Sequence, residues 1–219
     1  MTAMSAFRAV VFDRDGVLTR FDLDRAAAFF APLLPMPVGE IAERWFRWQE
    51  EHGFPTSLAA EGRLWASYWE HLGDRFSLSA EKRALLHEFD YTAVIQPHAD
   101  ARPALQHVRR AGARCGVFSN FSLASIDASL AAAGFADLVD VACAGYVVGV
   151  RKPEPQAYHF VAAALGVAPA ECLFFDDEAE NVDGARAVGM RAYLVDRSLP
   201  AHEIERGVVR DLSALPALL

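Results

Sequence analysis

Four short apolar runs, each ending in polar or acidic residues, constrain this chain more than any other feature. FRAVVF (Phe7–Phe12) meets Asp13, ARCGVFS from Ala113 runs out at Ser119 and Asn120, and ECLFFD from Glu171 and MRAYLVD from Met190 both end in acids. Runs this short and rich in β-branched and aromatic residues suit strands buried on both faces of a parallel sheet. Helical patterns over 99–111, 122–133, 155–165 and 179–188 separate them, and Gly134, Gly166 and Gly189 follow the last three. Glycine just past a periodic stretch stops a helix, because it enters the left-handed region without a Cβ clash. Strands alternating with helices predict right-handed crossovers and an α/β fold with a Rossmann-like open parallel sheet. Ligands of such sheets sit at the carboxyl ends of the strands.

One stretch breaks the alternation. From about Phe21 to Tyr91 there is helical periodicity without a strand-like run, and all four tryptophans of the chain, Trp45, Trp48, Trp65 and Trp69, fall there. Ile41, Trp45 and Trp48 lie at i, i+4 and i+7, and Leu64, Tyr68 and His71 repeat the spacing, as amphipathic helices require. The expected organisation is therefore a core of residues 1–20 and 92–219 with an all-helical insertion over 21–91. Length agrees: 219 residues imply about one and a half domains. Residues 32–37 and 199–219 read as irregular connections.

Composition excludes several partners. The formal charge of −8 and a pI near 5.3, with no basic run, argue against nucleic acid and anionic membrane surfaces. No apolar run reaches the ~18 residues that cross a bilayer, and MTAMSAFRAVVFD lacks the flanks of a signal peptide. Cys115, Cys143 and Cys172 lie far apart with no CxxC pair, so buried, reduced thiols in the cytoplasm are expected.

The strand ends carry the chemistry. In VVFDRDGVLT, Asp13 and Asp15 follow a strand one residue apart, so both face one way and repel unless a cation or proton intervenes. That pattern reads as a metal site or an acid/base pair. Ser119 and Asn120 offer neutral donors to an anion, though such residues also cap helices. Lys152 in VRKPEPQAY stands out because all but two of the 21 basic residues are arginine; a compact point charge on a flexible stem suits it to bind an anion. Asp176 and Asp177 end a buried run, and oxygen-only ligands of this type suit Mg2+.

In this order, the four signals resemble the motifs of the haloacid dehalogenase superfamily, and the insertion resembles that superfamily's small helical cap. The resemblance implies a Mg2+-dependent phosphomonoester hydrolase, monomeric or homodimeric, acting on a small phosphorylated metabolite. By the same resemblance Asp13 is the nucleophile and Asp15 the general acid/base. Ser119, Asn120 and Lys152 hold the phosphoryl group, and Asp13, Asp15, Asp177 and Asp176 serve the metal. Asp15 favours a phosphatase over a 2-haloacid dehalogenase, since a halide leaves without a proton. A sugar-phosphate mutase or a non-catalytic relative is the alternative. A phosphonate-cleaving route would need an insertion lysine, and Lys82 lies late in a surface-like run. Arg14 departs from the family's commoner apolar residue, and both a structural role and an approach to the phosphate are open to it. Trp45, Trp48, Arg63 and Trp65 are the first candidates for substrate contact.

Overall fold

The computed structural model describes residues 7–219; the reading of the first six residues lies outside the described residues. Strand β1 (Ala9–Phe12) forms the middle of the sheet, and β2 (Thr19–Phe21) leads into helices α1 (Leu23–Phe30), α2 (Val38–His52), α3 (Leu58–Arg75) and α4 (Ala80–His87). A 3-10 turn (Tyr91–Val94) and β3 (Ile95–Pro97) bring the chain back. Then follow α5 (Ala101–Arg110), β4 (Arg114–Ser119), α6 (Ile126–Ala132), β5 (Val141–Ala144), α7 (Gly145–Val148) and α8 (Pro155–Ala164). The chain closes with β6 (Cys172–Asp176), α9 (Ala179–Ala187), β7 (Arg191–Val195), β8 (Val208–Val209) and α10 (Leu215–Leu218).

The six-stranded sheet runs β5-β4-β1-β6-β7-β8, with every pairing parallel. All four residues of β1 are buried, and period two splits them: Val10 and Phe12 pack on one face, Ala9 and Val11 on the other. Phe12 stacks on Phe175 and Phe175 on Tyr193, so one aromatic row spans three strands. Strand order reverses on either side of β1, which makes its carboxyl end a topological switch point.

Two expectations needed correction. The sheet gains β5 and β8: β5 (VACA) is half-buried and poor in large apolar residues, and β8 has only two residues. Residues 199–219 are ordered into the core rather than irregular: β8 pairs with β7, Leu212, Leu215 and Leu218 are buried, and Leu212 N–H donates to Asp100 Oδ2 at 2.8 Å. The segment 32–37 is built of turns, as expected.

The helical stretch enters and leaves through β2 and β3, which pair antiparallel with Phe21 opposite Ile95. Side chains of Asp22, Ser57 and Ser79 accept from Arg25, Ala60 and Lys82 N–H and so start α1, α3 and α4. Inside, the Trp45 and Trp65 rings stack 3.5 Å apart and 3° from parallel, and Trp65 continues onto Trp69 at 5.2 Å. Glu61 on α3 ties this layer to the core, accepting from Ser125 N–H at 2.9 Å and Oγ at 2.7 Å. Gln49 Nε2 adds a bond to Ser122 Oγ at 3.2 Å.

Candidate active site

The strand ends converge. Asp13 follows β1, Ser119 ends β4, Asp176 ends β6, and the loop after α7 delivers Lys152. Asp13, Asp15, Ser119, Lys152 and Asp177 line one polar cavity of about 260 Å3. Lys152 is its hub: Nζ donates to Asp13 Oδ1 at 2.7 Å and to Asp176 Oδ2 at 2.5 Å, with the lysine side chain only 1% exposed. Burial works against that ammonium, but the two carboxylates outweigh it and hold Lys152 charged above the ordinary lysine value. Burial also pushes Asp13 up to about 7, against the pull of Lys152 and with the repulsion of Asp176. Burial and Asp176 raise Asp177 to about 6. Two carboxylates reluctant to ionise mark a site short of positive charge, and Asp13, Asp176 and Asp177 each offer an oxygen within 4.8 Å of the others. This cluster of hard oxygen donors fits a divalent cation such as Mg2+.

The supporting contacts explain the local sequence. Asp176 Oδ1 accepts from Glu178 N–H at 2.9 Å and Asn181 Nδ2 at 3.0 Å, so both of its oxygens are engaged. Asn120 uses its side chain on the backbone of Lys152, donating to its carbonyl at 2.8 Å and accepting from its N–H at 2.9 Å. That clamp positions the lysine. Gly16 has φ +79°, and a Cβ there would lie 2.0 Å from Asp177 Oδ2. The turn after the first acids thus passes against the second acidic pair, which only glycine permits.

Arg14 lies on the other side. Its guanidinium is fully buried: Nε and Nη2 donate to Asp15 Oδ2 at 3.1 and 2.6 Å, Nη1 to Ser129 Oγ at 3.0 Å, and Nη2 to the Tyr91 hydroxyl at 3.0 Å. It also sits 3.7 Å over the Phe121 ring. Of the two roles open to Arg14, approach to the phosphate is not the one observed: it lines a second cavity, formed where the helical insertion meets the core, and not the polar one. Asp15 and Asn120 border both cavities.

The family model of the haloacid dehalogenase-like hydrolases matches residues 7–189. The chain belongs to this family. It is 44% identical to "Phosphatase MT3486" of Mycobacterium tuberculosis over 96% of each chain. It is 26% identical to "(S)-2-haloacid dehalogenase 1" of Pseudomonas sp. over 99% of this chain and 98% of that one. Among solved structures, a dehalogenase with an intermediate complex superposes with a TM-score of 0.67 over 99% of each chain, at 22% identity. The chain is thus a haloacid dehalogenase-like hydrolase on the expected α/β sheet.

All seven strand-end candidates of this hydrolase meet at one end of the sheet. The candidates in the insertion divide. Trp45 and Trp65 line the second cavity, whereas Trp48 stacks on His52 at 3.8 Å and lies outside it. Arg63 and Lys82 are exposed and border neither cavity. The buried face of α2 is Ile41, Trp45 and Gln49, one residue on from the expected Trp48. Sequence reasoning missed Asn181 and Tyr91, which act only through contacts made by folding.

Proposed function

We propose that this hydrolase cleaves phosphomonoesters through an aspartyl-phosphate on Asp13. Residues 1–20 and 92–219 form the catalytic body, and 21–91 cap it. The observation that carries the reading is the position of Asp15: a carboxylate two residues from the buried nucleophile, on the boundary between the polar cavity and the aromatic one. A phosphoryl group among Asp13, Ser119 and Lys152 would place its leaving oxygen toward that boundary, where a proton donor is needed.

In the first step Asp13 attacks phosphorus through the oxygen not bonded to Lys152, the bond from phosphorus to the ester oxygen breaks, and Asp15 gives that oxygen a proton. In the second, Asp15 as carboxylate takes a proton from water, the water oxygen bonds to phosphorus, and Asp13 leaves with inorganic phosphate released. Ser119, the Asn120 backbone N–H and Lys152 surround the oxygens on which charge collects. Asp13, the Asp15 backbone carbonyl and Asp177 would hold Mg2+, with Asp176 supporting through Lys152 and Asn181. The ion supplies positive charge that lets two anions approach. Arg14 holds Asp15 through Oδ2, and Asp15 Oδ1 accepts from Thr19 Oγ1 at 3.3 Å, so both contacts orient the carboxylate.

Among the described residues no helix is long and apolar enough to cross a membrane, and all three cysteines are buried and unpaired. Unpaired, buried thiols suit a reducing compartment such as the cytoplasm. The test is release of inorganic phosphate from p-nitrophenyl phosphate with Mg2+, abolished by EDTA. Halide release from a 2-haloacid without phosphatase activity would overturn the reading.

A further inference from the structure

The second cavity indicates what the phosphate is attached to. Resting on the phosphomonoesterase reading, we propose that the alcohol released by this enzyme is apolar and ring-bearing, and that it binds between the insertion and the core against the Trp45–Trp65–Trp69 wall. The cavity measures about 260 Å3 and meets the polar one at Asp15 and Asn120. An apolar cavity of about 150 Å3 accommodates benzene, so this one has room for roughly ten carbons, or two fused rings.

Its lining selects against polar alcohols. Apart from the indole N–H groups, its polar side chains already have partners: Arg14 with Asp15, Ser129 and Tyr91, Asn120 with Lys152, and Ser122 with Gln49. Arg14 is the only cationic residue that lines it among the described residues; four of its five N–H donors are bonded to Asp15, Ser129 and Tyr91, and the Asp15 carboxylate balances its charge. A second phosphate or a carboxylate on the alcohol would lose its water with no cation to meet it. Sugar hydroxyls would be stripped of hydrogen bonds in the same way. The remaining walls are aromatic or aliphatic, including Phe30, Phe89 and Phe121. Trp45 and Trp65 are 3° from parallel, and Trp69 is 18° from Trp65. Indoles stacked face to face leave their edges and an outer ring face uncovered, and both pair favourably with a further aromatic ring.

The experiment compares kcat/KM, by phosphate release from the full chain with Mg2+, for ethyl, benzyl and 2-naphthylmethyl phosphate and for glycerol 3-phosphate. Their alcohols are all primary, so leaving-group chemistry varies little across the series. One methylene in a fitted pocket gives roughly tenfold discrimination, so a rise of about 100-fold or more from ethyl to naphthylmethyl is expected, with glycerol 3-phosphate no better than ethyl. Ala42, exposed on α2 at the cavity wall, provides the variant. Ala42→Phe should cut the naphthylmethyl-to-ethyl ratio at least about tenfold and weaken calorimetric binding of 2-naphthalenemethanol equally. A flat series, or glycerol 3-phosphate as the best ester, overturns the proposal while leaving the phosphatase reading intact. A protein that hydrolyses none of the esters yet binds 2-naphthalenemethanol through Ala42 defeats the phosphatase reading and supports the ring site. Absence of that binding overturns the ring site whatever is hydrolysed.

Discussion

The two cavities that share Asp15 are built by opposite means. The polar one is assembled mainly from the carboxyl ends of β1, β4 and β6, with Lys152 brought in by the loop after α7, and the sheet sets the spacing of the carboxylates. The aromatic one is assembled from faces of α1, α2 and α3 closed by loop residues such as Phe89 and Phe121, and its shape depends on how those helices pack. The first tolerates almost no displacement, because Lys152, Asp13 and Asp176 are locked by bonds of 2.5 to 2.7 Å. The second is held by ring contacts without fixed directionality, so it can change its occupant while the chemistry stays. A hydrolase of this design separates reaction from selection.

Damage to the polar cavity should therefore abolish turnover without unfolding the protein. Asp13→Asn should lower kcat by about 10^4-fold or more, as loss of a nucleophile does, while the thermal midpoint stays the same or rises, since one of three crowded carboxylates is gone. Phosphate release and a melting curve on the same sample check both. Full activity in Asp13→Asn would remove the nucleophile from this site. Gly16→Ala comes next. Its Cβ would collide with Asp177 Oδ2, and displacing a carboxylate of the polar cavity by about 1 Å can cost about 100-fold in rate. Tryptophan fluorescence, which reports only on the insertion, should not change.

Damage to the aromatic layer should do the reverse, and two tryptophans three residues apart sharpen the contrast. Trp45→Ala removes a buried ring stacked at 3.5 Å on Trp65 and should cost about 3 kcal/mol in urea unfolding. Trp48→Ala removes a half-buried ring on the far side and should cost under about 1 kcal/mol. Equal losses would mean that the layer does not distinguish its faces.

That pair also marks the limit of what the sequence discloses. Strand ends were legible because a run such as LFFDD carries both burial and chemistry in five residues. Helix faces were legible as amphipathic but not to the residue, because a 100° apolar stripe admits Trp48 or Gln49 equally until neighbouring helices choose. Arg14 was unreadable for another reason: its partners Ser129 and Tyr91 lie 115 and 77 residues away. β8 has only two residues, and β5, as long as β1, carries small and half-buried residues in place of the β-branched and aromatic ones that disclosed β1.

The smallest expected effect tests whether the polar cavity is built for a cation. Burial raises Asp13 to about 7 and Asp177 to about 6, both above the ordinary aspartate value of 3.8. In the metal-free protein these groups bind protons more tightly folded than unfolded, so their contribution to stability is complete below about pH 4 and is lost as pH rises through 6 to 7. A divalent cation needs both carboxylates ionised, so its binding expels those protons and strengthens over the same interval. Mg2+ at ten times its dissociation constant at pH 8 should add about 1.4 kcal/mol there and almost nothing at pH 5. A pair of melting curves with and without MgCl2 at each pH reads this as a midpoint gain that grows with pH. In Asp13→Asn the gain should shrink, because one ligand is gone and one proton fewer is displaced. A gain independent of pH would place the ion away from Asp13 and Asp177, and the division between a charged floor and an aromatic roof would then lose its lower half.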